Sequence, residues 1–188
     1  MTRIVVLLLL IVIAAIMLTV ATEHEVFAQQ TTTNFLTYEN STFGIKVQYP
    51  SSWDEEQNGT KQDTETDIVT FYPSASNSNA SLDVTTDDIS DEKGISLIQY
   101  ASDSLTDLRQ SLKDFKLVGS TTNILLAGLP AYDYVYTYQD GNSIFKDMEI
   151  GAIKGDNVYI LTYEAGMAEY GNYLPVIKQS INSFQITK

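Results

Sequence analysis

Tyr132, Tyr134, Tyr136 and Tyr138 occupy every second position of one short stretch. Side chains of an extended chain alternate between faces. The four rings therefore share one face of a strand, while Ala131, Asp133, Val135 and Thr137 take the other. An exposed row of this kind would stack on and hydrogen-bond to a partner protein or a glycan. Equally, the row would carry an apolar helix, with its hydroxyls reaching the rim. Two acidic groups offer a second chemistry. Asp63, Glu65 and Asp67 alternate, and Asp87, Asp88, Asp91 and Glu92 crowd one loop. Carboxylate oxygens suit Ca²⁺, which makes the loop group a candidate ligand set. Neither run has the Asp-x-Asp-x-Asp-Gly frame of a dedicated loop, and a solvated acidic surface accounts for both.

What is missing narrows the chemistry further. The chain has no Cys and a single His, His24. A Ser-His-Asp or Cys-His arrangement needs an imidazole to take the proton, and zinc sites need imidazole or thiolate. Ser143-Ile144-Phe145-Lys146 has Ser-x-x-Lys spacing but reads as a strand. Paired carboxylates could hydrolyse a glycoside, yet acids are so abundant that no pair stands out. The residues argue against an enzyme, with a carboxylate-based hydrolase as a remote alternative. Asn40, Asn58 and Asn79 each open an Asn-x-Ser/Thr sequon in a turn or loop, as glycosylation would require. In a chain this rich in Asn, Ser and Thr, such matches also arise by chance.

The leader decides where this chemistry happens. Arg3 precedes an apolar run from Ile4 to Leu18, extended through Val20 and Ala21, and Val26-Phe27-Ala28 offers small residues for cleavage. Residues 1–28 thus read as a secretory signal peptide or a retained N-terminal membrane anchor. In both cases the remainder faces outward, since the early positive charge stays inside. Cleavage after Ala28 would remove His24. Without Arg3, Glu23 and Glu25, ten basic and twenty-two acidic residues remain, a net charge of −12. Such a surface repels phosphate backbones and excludes nucleic acid as a partner. Cationic partners remain compatible with it.

Residues 29–34 read as a polar tether, and the rest as one domain that needs no disulfide staples. Strands are expected at Phe35 to Tyr38, Phe43 to Tyr49, Ile68 to Tyr72, and Leu82 to Val84. Pro50 and Trp53 should enter a turn, and 54–66 a polar loop around Asn58-Gly59. Ser96 caps a helix whose Leu97, Tyr100, Ala101, Leu105, Leu108 and Leu112 fall on one face, ending near Lys113. Four strands follow: Phe115 to Leu126, Ala131 to Tyr138, Ile144 to Lys154 and Val158 to Ala165. Turns at Gly128-Leu129-Pro130, 139–142 and 155–157 separate them. A last helix spans roughly Ala168 to Ile181, and Phe184 and Ile186 dock the chain end. Tight hairpins imply an antiparallel sheet, and two amphipathic helices must bury their stripes on it, an α+β layer architecture.

Three pieces of the chain resemble the PsbP family. They are Tyr38 with Phe43-Gly44-Ile45, Tyr49-Pro50 and Trp53; then Gly128-Leu129-Pro130-Ala131-Tyr132; and last Ile181-Asn182-Ser183-Phe184. Their order matches that family over residues 35–188. The resemblance implies an antiparallel sheet sandwiched between helices. The family includes lumenal extrinsic subunits of photosystem II and many exported prokaryotic proteins, and the fold recurs in a Ran-GTPase release factor. The metal contacts proposed for the photosystem subunits use histidine, which the processed chain lacks. The resulting expectation is an exported, non-catalytic binding or assembly module without a cofactor, serving an unidentified protein partner or membrane complex. A binding protein for a cation or small ligand is the alternative.

Overall fold

The computed structural model describes residues 33–74 and 77–188. The expected leader and most of the tether lie outside these residues. Among the described residues no helix is long and apolar enough to cross a membrane.

Among the described residues, ten strands form two antiparallel sheets. The large sheet runs β3–β4–β5–β9–β8–β7–β6, and the small one β1–β2–β10. In chain order the strands are β1 Phe35–Asn40, β2 Ile45–Pro50, β3 Trp53–Gln62, β4 Glu65–Pro73, β5 Ser81–Asp88, β6 Lys116–Leu126, β7 Leu129–Asp140, β8 Ser143–Lys154, β9 Asn157–Gly166 and β10 Gln185–Ile186. Helix α1 (Leu97–Ser111) separates β5 from β6, and α2 (Tyr170–Ser183) precedes β10. Ser96 caps α1 as expected, its hydroxyl accepting from the Gln99 amide at 3.1 Å.

The layers differ from a plain helix–sheet–helix sandwich. On one face of the large sheet α1 packs chiefly over β7 and β8, with Tyr100 reaching Val158 and Ile160 of β9. The opposite face is closed by α2 together with the small sheet. There Tyr38, Ile45, Val47 and Tyr49 join Phe71, Leu82, Tyr163 and Ile177 in one buried core. Tyr49 stacks on Phe71 with centroids 4.5 Å apart, and Tyr38 meets the same ring edge-on at 5.7 Å. The small sheet thus supplies apolar area that a longer helix would otherwise bring.

The largest departure from expectation is at 54–66, which is strand rather than loop. β3 is an edge strand, and only Trp53 of its described side chains is buried. An edge exposed on both faces needs no apolar alternation, so periodicity could not reveal it. Gly59 (φ +57°) sits where the register shifts between Gln57 and Thr60, and the turn falls later, at Asp63 (φ +51°). Trp53 opens β3 and meets Tyr173 of α2 edge-on at 5.5 Å. Gly128-Leu129-Pro130 also moves. The turn is Ala127-Gly128, both at positive φ, and Leu129 and Pro130 already belong to β7.

Candidate functional site

Tight turns set the register that builds the site. The Gly141-Asn142 turn pairs Tyr138 with Phe145, Tyr136 with Asp147, Tyr134 with Glu149 and Tyr132 with Gly151. On the next strand Glu164 pairs with Asp147 and Thr162 with Glu149. β5 brings Asp83 opposite Thr162 and Asp87 opposite Val158, and β4 sets Glu65 opposite Asp87. One sheet face therefore reads from tyrosine, through carboxylate, to threonine and carboxylate.

The tyrosine row lies under α1. Tyr132, Tyr134 and Tyr136 are buried with Ala101 beneath Leu97, Leu105, Leu108 and Leu112, and Tyr138 is half-buried. An exposed stacking platform does not describe this face, because the apolar stripe of α1 takes it. The hydroxyls are used internally. Tyr132 donates to Glu149 Oε1 at 2.8 Å, Tyr134 to the Ala101 carbonyl at 2.7 Å, and Tyr138 to Glu164. Ser104 of α1 also donates to Glu149 Oε1, at 3.3 Å, and Tyr100 donates to Asp87 at 2.9 Å.

These carboxyl groups have no cationic partner. The one ion pair among the described residues is Lys46–Glu39, elsewhere on the surface. Burial raises the Glu149 pKa, with the Tyr132 and Ser104 hydrogen bonds opposing it. Burial, reinforced by the charge of Glu164, pushes Asp147 up to about 8. Asp147 Oδ1 is buried without a hydrogen-bond partner. In the sequence no local motif singles out Asp147, Glu149 or Glu164. Counting the register outward from Gly141-Asn142 would have set the first two against the tyrosine row.

Beside α1, over β4, β5 and β9, runs a groove of about 480 Å³. Asp63, Glu65 and Asp87 form one wall, and Tyr100, Ser104 and Asp107 the other. Thr85, Glu149, Ile160 and Thr162 lie between them. No Lys, Arg or His lines it. The two acidic runs of the sequence thus meet only in part. Asp63, Glu65 and Asp87 converge on the groove, whereas Asp67, Asp88, Asp91 and Glu92 do not line it. Asp88 accepts from the Ser90 amide at 3.0 Å, and hydrogen bonds from the Ser90 hydroxyl and then its amide lower the Asp88 pKa. Among the described residues no group of three or more His, Cys, Asp or Glu side chains is placed to hold a metal ion. Carboxylates spread along a groove suit an organic ammonium or guanidinium group better than a chelated ion.

The sequons are placed differently from one another. Asn40 Oδ1 accepts from the Thr42 and Phe43 amides, and its Nδ2 donates to Tyr38. Asn58 Nδ2 donates to Thr70 across β3 and β4. Asn79 lies exposed before β5.

A family model described as PsbP-like protein matches residues 3–186. The chain belongs to the PsbP-like family. Among solved structures, cyanobacterial PsbP (CyanoP) from Synechocystis aligns with this PsbP-like chain at a TM-score of 0.62. The pair is 13% identical over 84% of this chain and 95% of that one. LpqN of Mycobacterium tuberculosis, described as involved in cell envelope biogenesis, aligns at 0.61, with 12% identity over 84% and 92%. The Ran-binding protein Mog1p of Saccharomyces cerevisiae aligns at 0.55, with 10% identity over 84% and 97%. Identities this low establish a shared fold alone. A search of curated proteins gives no match.

Proposed function

We propose that this PsbP-like domain is an exported, non-catalytic binding or assembly module acting at the outer face of the cytoplasmic membrane. The reading rests on the acidic groove beside α1, which is open, free of basic side chains and sized for one cationic segment of a protein partner. Two further points support it. Under α1 Glu149 is tied into structural hydrogen bonds, its Oε1 taking two donors at once. Asp147 and Glu164, the neighbouring acids, do not line the groove with Glu149. The signal-like leader and the likeness to LpqN support an extracytoplasmic location.

Photo-crosslinking of the full chain in its own cells tests this. A crosslinker placed at Asp107, on the groove rim, should yield one discrete adduct that high salt suppresses. The same group at Lys178, on α2, should yield none. Equal labelling at both positions, or no adduct at Asp107, rejects the groove as the binding surface.

A further inference from the structure

The large sheet has two free edges, β3 and β6, and the chain treats them in opposite ways. β3 carries Asp54, Glu55, Glu56 and Lys61, charges of the kind that discourage pairing with another strand. β6 has no charged residue from Leu117 to Leu126. It also gathers exposed apolar side chains. The described residues include seven large apolar side chains that are exposed, and five of them flank this edge. Val118 and Leu125 lie on β6 itself, 59% and 65% exposed. Ile144 and Met167 share a hollow with Val118, and Ile98 shares another with Ser120 and Thr122. Clustering of this kind marks an interaction surface.

Position and charge select the occupant. Ile98 belongs to the α1 side of the sheet, whereas Leu125 stands beside Ile181 and Phe184 on the α2 side. An occupant that covers both must lie along the edge. From Trp53 to Glu92 there are eleven acids against one base, Lys61. They sit on β3, β4, β5 and the adjoining loops, across the sheet from β6. Two copies joined at β6 would hold their most acidic strands at opposite ends of a continuous sheet, while a contact through β3 would set acid against acid. The register shifts of β6 against β7, at Leu117/Gly119 and Thr121/Ile124, twist the edge locally. A two-fold partner presents that same twist, as an isologous contact requires.

We propose that β6 is the contact strand of a homodimer, running antiparallel to β6 of a second copy. The contact is separate from the groove on β4, β5 and β9, so either can fail without the other.

Single cysteines test it, because the chain contains none of its own. Oxidising full-length chain that carries Ser120→Cys should give a disulfide-linked species of twice the chain mass. Lys61→Cys, on the β3 edge, should stay monomeric. Adding salt should raise the cross-linked fraction, since it screens repulsion between two acidic bodies whose contact is apolar. Val118→Glu with Leu125→Glu in the Ser120→Cys background should cut that fraction about tenfold or more, with the circular dichroism unchanged because both side chains are exposed. Three results overturn the proposal. They are no cross-link at Ser120→Cys, Val118→Cys or Thr122→Cys; a cross-linked species of any other mass; and a cross-linked fraction indifferent to the two glutamates.

Discussion

The Tyr132 ring lies directly on Gly151: a Cβ added to that glycine would stand 2.5 Å from the ring. Tyr132 is fully buried, and its hydroxyl is held by Glu149 on the same strand as Gly151, so the ring has nowhere to retreat. Gly151→Ala should therefore cost about 1–3 kcal/mol, the range for overpacking a filled core. Urea unfolding followed by circular dichroism measures it. A stability equal to the parent would mean that the sheet and α1 part more easily than this packing implies.

Asp147 makes stability fall as the pH rises out of the acid range. Its folded pKa is raised from 3.8 to about 8, chiefly by burial. The folded state therefore holds a proton that the unfolded chain releases. This contribution is complete below the unfolded value and is lost as pH rises through the folded one. Glu149, Glu164 and Asp83 are shifted in the same direction, again first by burial. Asp147→Asn should flatten the decline in Tm between pH ~5 and ~8 and leave the variant more stable at the upper end by on the order of a few kcal/mol. Parallel Tm curves for parent and variant would refute the assignment.

Much of this fold was legible in the residues. The Ser96 cap, the stripe of α1 and the run of hairpins from β6 to β9 all follow from local rules. β3 was not, because an edge strand wetted on both faces carries no periodic signal. The PsbP-like sheet was expected, but a plain sandwich between helices is not what forms, for a related reason. Nothing local to Phe35–Pro50 announces that its strands form a separate sheet closed by the returning chain end at Gln185–Ile186. At the site, the tyrosine row was visible, and so were the acids that wall the groove. The carboxyls of β8 and β9 became meaningful only once register set them against that row.

Ala127 holds φ +51° in the two-residue turn between β6 and β7. A side chain there meets the backbone clash that glycine avoids. Ala127→Gly should relieve part of that strain, offset by the greater freedom of glycine in the unfolded chain, for a net gain of up to about 1 kcal/mol. Thermal unfolding decides the sign, and a lower Tm would show that the turn already accommodates alanine.

The groove makes a prediction about charge that its neighbours do not share. Asp63 and Asp107 face each other across it, both exposed, so Asp63→Lys with Asp107→Lys should leave the fold intact and place two cations inside the site. Binding of a short oligolysine peptide, followed by fluorescence anisotropy at low salt, should weaken about tenfold or more in this variant. Asp88→Lys with Asp91→Lys changes the net charge by the same amount outside the groove and should weaken it far less. Equal losses in the two variants would mean that the peptide senses only the overall negative field of the domain. Calcium provides the complementary measurement. Because no three of the groove carboxylates are placed to hold one ion, calorimetric titration with millimolar Ca²⁺ should give no saturable heat. A saturable calcium isotherm lost in the Asp63→Lys, Asp107→Lys variant would replace the organic cation with a metal ion as the natural occupant.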